Sequence, residues 1–212
     1  MNKKRYTHVF WDWNGTIVDD LSINFDVINT LLKNRGKTTV SMIEYRNAFS
    51  FPIKTFYEKI GLPINGKEYE RLVSDYWRLY KSNFNDIPLM EGVSDILFTL
   101  KKNNVNQYIL SASNKEMIFD QLSLYGIQDY FEDIIAPYDG YALGKIELAK
   151  QWISNHKISV SSVIMIGDTF HDYETAKAIN IDCVLVDKGH QNLKSVIHNP
   201  NFSVYNDIVE LQ

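Results

Sequence analysis

From Pro88 to Val186, short apolar runs alternate with stretches of helical period, and this constrains the fold more than any other feature of the chain. Residues 107–110, 133–136, 163–166 and 182–186 have the length and apolar content of buried strands. Residues 92–103, 115–125, 146–156 and 172–179 carry apolar side chains at steps of three and four, which predicts helices with one buried stripe. Parallel neighbours need long crossovers, usually helical, so the alternation predicts a parallel sheet covered on both faces. Residues 6–13 add one more apolar run, closed by the turn signal Asn14-Gly15. The expected fold class is α/β, a Rossmann-like parallel sheet core.

The stretch between the first strand and Pro88 has a different texture. Leu21, Phe25, Ile28 and Leu32 step by three or four and stop at Gly36, as an amphipathic helix with a glycine end does. Tyr69, Leu72, Val73, Tyr76, Trp77 and Tyr80 form a second such pattern, with no strand of comparable strength between the two. Residues 20–86 therefore read as an inserted α-helical cap domain, with 1–19 and 87–212 forming the core domain. A chain of 212 residues that is 45% hydrophobic can bury one substantial core and a smaller second one.

Composition narrows the partners. A formal charge of −4 without long runs of either sign gives no footprint for a nucleic acid. The basic start leads into too few apolar residues for an export signal or a membrane span. The one cysteine, Cys183, lies in an apolar run and reads as a buried structural thiol. These features predict a soluble cytoplasmic protein with neither membrane nor nucleic-acid partner, and leave monomer and homodimer both open.

Ligands of open α/β sheets bind beyond the carboxyl ends of the strands. The residues expected there are Asp12, Ser111, a loop leading to Lys145, and Asp168. Singly, each has an ordinary reading as a cap or turn residue. Together they are harder to dismiss, because paired carboxylates ionise readily only with a cation between them, and an all-oxygen set suits magnesium. A nearby lysine, the Ser111 hydroxyl and the backbone amides that follow, beginning at Ala112, would hold a phosphate-like group.

Four segments also carry a resemblance. "VFWDWNGTIVDD" at 9–20, "ILSAS" at 109–113, "GKIE" at 144–147 and "VIMIGDTFHDYETAKAI" at 163–179 resemble, in order and context, the motifs of the haloacid dehalogenase superfamily. The resemblance spans nearly the whole chain and looks closest to the phosphoglycolate-phosphatase-like branch with a helical cap. It implies a magnesium-dependent phosphatase of a small phosphorylated metabolite, with Asp12 as the nucleophile that becomes an aspartyl-phosphate. It implies metal binding by Asp12, the backbone carbonyl of Asn14 and Asp168, with Asp172 ordering a metal-bound water or Lys145. Thr16 and Ser111 would steady the phosphoryl oxygens, and Lys145 would offset charge. Dehalogenation is disfavoured, because haloacid dehalogenases need no metal and this chain keeps the aspartates that hold one.

The departure is Asn14, where phosphatases of the family keep an aspartate as acid and base; an amide cannot do that work. Three readings stay open. Substrates with good leaving groups, such as acyl or aryl phosphates, would need no acid, or His171 or a cap residue would supply the proton. Alternatively, the chain resembles phosphonoacetaldehyde hydrolases, which also lack the second aspartate and use a cap lysine, with Lys54 as a counterpart. The third is a weakly catalytic binder of a phosphorylated ligand. Lys54 otherwise reads as an exposed helical lysine, His171 as a polar helix-start residue, and the aromatic stripe Tyr69, Tyr76, Trp77 and Tyr80 as packing inside the cap.

Overall fold

The computed structural model describes residues 6–138, 144–196 and 203–211. The basic start at 1–5 and the loop at 139–143 that leads towards Lys145 lie outside the described residues. Six parallel strands form one sheet in the order β3-β2-β1-β4-β5-β6. They are β1 (His8–Trp11), β2 (Asn106–Leu110), β3 (Asp133–Ile135), β4 (Val163–Gly167), β5 (Asp182–Val186) and β6 (Ser203–Tyr205). This is the doubly wound order, and its reversal point, where a ligand crevice opens, lies between β1 and β4.

Side chains alternate across the sheet, and the two faces bury different cores. Val9, Trp11, Ile109 and Ile166 enter one apolar cluster with α5 (Val93–Lys102) and α6 (Lys115–Tyr125). Phe10, Tyr108, Met165 and Leu185 enter the other, with α7 (Lys145–His156) and α8 (Phe170–Ala178). Burial on both faces is why β1, β2 and β4 read as near-continuous apolar runs. Cys183 is buried in the second cluster, and burial pushes its thiol up, away from the reactive thiolate.

Four helices lie between residues 21 and 82: α1 (Leu21–Lys33), α2 (Met42–Ala48), α3 (Ile53–Lys59) and α4 (Gly66–Ser82). They share a third core of Val27, Ile28, Leu31, Tyr45, Phe56 and Leu72, among others. The short helices α2 and α3 are too brief to show a clear period in sequence. Ser41 and Glu44 close a reciprocal capping box at the start of α2, which fixes where that helix begins. No helix among the described residues is long and apolar enough to cross a membrane.

Arg46 ties this layer to the loop after β5. Its guanidinium donates to the carbonyls of Asp187, Gly189 and Gln191 at 3.0–3.2 Å and to the Asp187 carboxylate at 3.1 Å. Gln191 Nε2 returns a bond to the Phe49 carbonyl at 2.8 Å. The helical layer is thereby held over the carboxyl ends of β1 and β4.

Candidate active site

Asp12 follows β1 directly, and its amide donates to the Ile166 carbonyl at 2.9 Å, so register alone sets it beside the end of β4. Asp168 follows β4, and Asp172 lies in the first turn of α8. Asp12, Asp168 and Asp172 are all buried and each brings a carboxylate oxygen within 4.8 Å of the other two. The sequence reading placed Lys145 with them, and the structure does the same. It opens α7, is buried, and donates from Nζ to Asp12 Oδ1 and Asp172 Oδ1 at 2.5 Å each.

The two oxygens of Asp172 have separate tasks. Oδ1 takes the lysine, while Oδ2 accepts from the amides of Asp168 and Thr169 and from the Thr169 hydroxyl at 2.7–3.2 Å. It thus satisfies amides that the start of α8 leaves without helical partners. Asp12 differs, since Oδ1 takes the lysine and Oδ2 has no hydrogen bond among the described residues. Asp168 accepts from the His190 amide at 2.6 Å and from Thr16 Oγ1 at 3.3 Å.

Charge in this cluster is out of balance, with three buried carboxylates against one ammonium. Burial, then the Asp172 charge, pushes the Asp12 carboxyl well above the ordinary range, and Lys145 only partly opposes this. Burial raises Asp168 to about 6 in the same way. Asp172 goes the other way, because the charge and hydrogen bond of Lys145 outweigh its burial. An all-oxygen set that is short of positive charge fits a hard divalent cation.

Ser111 is buried at the end of β2, and its Oγ accepts from the Ser113 amide at 3.1 Å. Ser111, Ala112 and Ser113 line the same cavity as Asp12 and Lys145. Thr16 is buried beside Asp168, so Asp12, Thr16, Ser111, Lys145, Asp168 and Asp172 come together in one region. Gly15 makes the convergence sterically feasible: its φ is +75°, and a Cβ there would stand 2.5 Å from Asp168 Oδ2 and 2.8 Å from His190 Cδ2.

Asn14 is tied down on both sides. Its amide nitrogen donates to Asp20 Oδ2 at 2.6 Å and to the Tyr80 hydroxyl at 3.1 Å, and its carbonyl oxygen accepts from Ser113 Oγ at 2.5 Å. Asp20 is fully buried and is the hub of this network. It accepts from Asn14, Asn24, the Gly15 amide, Tyr80 and His190 at 2.6–3.1 Å. His190 Nδ1 in turn lies 3.0 Å from the Tyr45 hydroxyl. Burial opposes the charge on both members of the Asp20–His190 pair, yet their mutual attraction wins, so Asp20 is lowered and His190 raised.

Sequence reasoning missed Asp20, His190 and Tyr45 as parts of this region. The partners are 170 and 145 residues apart, and although Asp20 closes the first quoted segment, neither a motif nor a period joins it to His190 or His190 to Tyr45. His171 stacks on Phe51, with ring centroids 4.9 Å apart, and burial lowers its pKa, followed by the Lys145 charge. Lys54 is exposed on α3 with its ammonium 4.5 Å from the Tyr69 ring centre, and it is not among the residues that line the cavity. The stripe Tyr69, Tyr76, Trp77 and Tyr80 does line it, as well as packing against the neighbouring cores.

The family model for haloacid dehalogenase-like hydrolases matches residues 9–186, which takes in all of these motif residues. The chain belongs to that family. A curated relative of this hydrolase, the phosphoglycolate phosphatase of Synechococcus elongatus, is 22% identical over 189 residues, covering 89% of this chain and 87% of the relative. Among solved structures, a haloacid dehalogenase-like hydrolase from Bacteroides fragilis superposes with a TM-score of 0.84 at 19% identity, covering 98% of this chain and all of that one. CbbY from Rhodobacter sphaeroides, solved in complex with phosphate, gives 0.76 at 12% identity over 97% of this chain and 96% of its own. At these identities the structural matches establish that the hydrolase shares their fold.

Proposed function

We propose that this hydrolase is a magnesium-dependent phosphatase of small phosphorylated metabolites that works through an aspartyl-phosphate on Asp12. The observation that carries the reading is the Asp12 carboxylate itself: one oxygen is fixed by Lys145, and the other has no hydrogen bond among the described residues and belongs to a residue lining the cavity. A nucleophile needs that combination of fixed orientation and an uncommitted lone pair.

Residues 1–19 and 87–212 act as the core domain and 20–86 as the cap. Asp12, the backbone carbonyl of Asn14 and Asp168 hold the metal, with Asp172 completing the acidic set and keeping Lys145 in place. When bound, the cation neutralises charge on the phosphoryl oxygens and on the carboxylates around them. Lys145 offsets the repulsion between Asp12 and the incoming anion, as a preorganised ammonium in a buried site does most effectively. Thr16, the Ser111 hydroxyl and the Ala112 amide orient phosphoryl oxygens. Attack by Asp12 forms the O–P bond as the ester oxygen departs with the electron pair; water then cleaves the acyl phosphate, returning the carboxylate and inorganic phosphate. The cap closes over the first step.

Asn14 neither donates nor removes a proton, so the leaving group departs largely unaided. A general acid is typically worth about 10²–10⁴ in rate, and the loss falls hardest on alkyl esters. The enzyme works in the cytoplasm, where the buried Cys183 stays reduced. The deciding experiment measures phosphate release with and without magnesium and sequences the peptide that carries a trapped phosphoryl group. Magnesium-dependent release with the label on Asp12 is expected; release that persists in Asp12→Asn would overturn the reading.

A further inference from the structure

The cavity extends well beyond the catalytic carboxylates. Its volume is about 790 Å³, within the range of metabolite and drug-sized pockets. A phosphoryl group with a two-carbon acid would fill only a small part of it. Away from Asp12 the wall is aromatic: Tyr69, Tyr76 and Trp77 from α4 contribute one side, and Phe51, stacked on His171, contributes another. Trp77 is held edge-on by Tyr76 at 5.1 Å and by Tyr80 at 6.0 Å, so its ring is an ordered surface.

Charge along the lining points the same way. Glu116 and Asp120 add carboxylates to those of Asp12, Asp20 and Asp172, against the ammonium groups of Lys81 and Lys145 and the His190 imidazole paired with Asp20, and no arginine among the described residues lines the cavity. Lys145 is committed to Asp12 and Asp172, which leaves exposed Lys81 as the one lysine not so engaged. Away from the acidic cluster and its metal, a second anion on the substrate would meet the carboxylates of Glu116 and Asp120 against Lys81 alone, and no fork of donors suited to a carboxylate. Gln121 supplies an independent sign of a ligand. Its Oε1 accepts from Trp13 Nε1 at 2.6 Å, and the indole can only donate, so the amide orientation is fixed. Gln121 Nε2 is then the one buried side-chain polar atom without a partner among the described residues, in a residue that lines the cavity. A small movement of this side chain would offer the donor to an acceptor on a bound ligand.

We infer that the substrate is a phosphate monoester of a phenol that carries no second anion, its ring lying against the α4 face of the cap. The inference rests on the phosphatase reading and sharpens it, and the chemistry agrees, because a phenol leaves as a far weaker base than an alkyl alcohol and compensates for the missing acid at Asn14.

The test separates recognition from chemistry. Phenylphosphonate and phosphonoacetate, neither hydrolysable as an ester, are titrated calorimetrically into the magnesium-loaded protein, and acetyl phosphate turnover is assayed alongside. Phenylphosphonate is expected to bind at least about tenfold more tightly, and Trp77→Ala to remove about tenfold of that, the upper end of what one aromatic contact contributes. Val73→Arg, which adds a cation to the same lining, is expected to reverse the preference. Equal or tighter binding of phosphonoacetate by the unmodified protein, or an unchanged preference in both variants, overturns the inference. Absence of acetyl phosphate turnover would instead sink the phosphatase reading, whatever the ranking of the two phosphonates.

Discussion

Asp12 and Asp20 bracket the same loop, both are buried, and their surroundings give them opposite characters. Asp12 has one ammonium within reach and two rival carboxylates, so its charged form is disfavoured. Asp20 accepts from five donors, one of them the His190 imidazole, so its charged form is favoured. Burial is common to both, and neighbouring charge decides between them, the Asp172 carboxylate beside Asp12 and the His190 imidazole beside Asp20, with hydrogen bonds adding to the second. A carboxylate left short of partners is available to a cation or an electrophile. One whose lone pairs are filled is an anchor, and here it fixes Asn14 and joins α1, α4 and the loop after β5 into one unit.

The strongest way to break the contrast is to remove the reactive member. Asp12→Asn should cost at least about 10⁴-fold in kcat, the scale on which loss of a catalytic nucleophile is felt. Its stability should fall little or even rise, since the change relieves a like-charge cluster. Steady-state phosphate release and a thermal melt on one preparation check both halves.

Exchanging the two characters is the sharper test. Asn14→Asp alone sets a carboxylate where an amide now donates to Asp20 Oδ2 at 2.6 Å. We expect a loss on the order of 3–5 kcal/mol, the usual consequence of leaving a buried charge wrongly partnered, and no gain in rate. Asn14→Asp combined with Asp20→Asn restores a donor opposite an acceptor. The pair should recover much of the stability and gain about 10²–10⁴-fold on an alkyl phosphate, the worth of a general acid. Denaturant melts and alkyl phosphate turnover for the two singles and the double read out the coupling directly. A fast Asn14→Asp single would show that Asp20 does not constrain position 14.

The two regions also differ in how legible they were. Asp12, Ser111, Lys145 and Asp168 sit at or near strand ends, places that an apolar run locates in sequence, whereas Thr16 and Asp172 are reached through the family resemblance. The sheet was legible for the same reason, apart from β6 (Ser203–Tyr205), whose three residues are at most half-buried and carry no apolar run. Asp20 and His190 are joined only by tertiary structure. Asp20 closes the first quoted segment and His190 lies beyond the last one, with nothing in either stretch to pair them. The stripe on α4 was read as cap packing, and it is also a cavity wall; periodicity identifies a buried face without saying whether protein or ligand covers it.

Metal binding should distinguish the regions with a smaller effect. Magnesium at about 100 times its Kd should add about 2.7 kcal/mol to the unmodified protein, by mass action. Asp168→Asn should lose that increment, while Tyr80→Phe, which removes a hydroxyl that meets Asp20 and the Asn14 side chain but none of the three clustered carboxylates, should lower stability and keep it. Melts with and without magnesium distinguish the two, and a magnesium response that survives in Asp168→Asn would move the metal away from the acidic cluster.

The smallest effect concerns pH and belongs to Asp20 and His190. Asp20 is lowered in the folded state, so its contribution is present above the unfolded carboxyl pKa of about 3.9 and is lost as pH falls through the folded value. His190 is raised, so its contribution is complete below the unfolded imidazole pKa of about 6.5 and is lost as pH rises through the folded value. The pair therefore stabilises most between about pH 4 and pH 6.5. His190 also faces Tyr45, Asp168 and Asp12. Asp168, raised to about 6, titrates in the same range, so the informative quantity is the difference between the unmodified protein and His190→Gln. With metal chelated, the Tm gap between the two should be widest below the unfolded imidazole pKa of about 6.5 and should narrow as pH rises through the raised folded value. A gap that is flat with pH would mean that His190 holds Asp20 as a neutral donor, and that the anchor depends on its four other hydrogen-bonding partners and not on an ion pair.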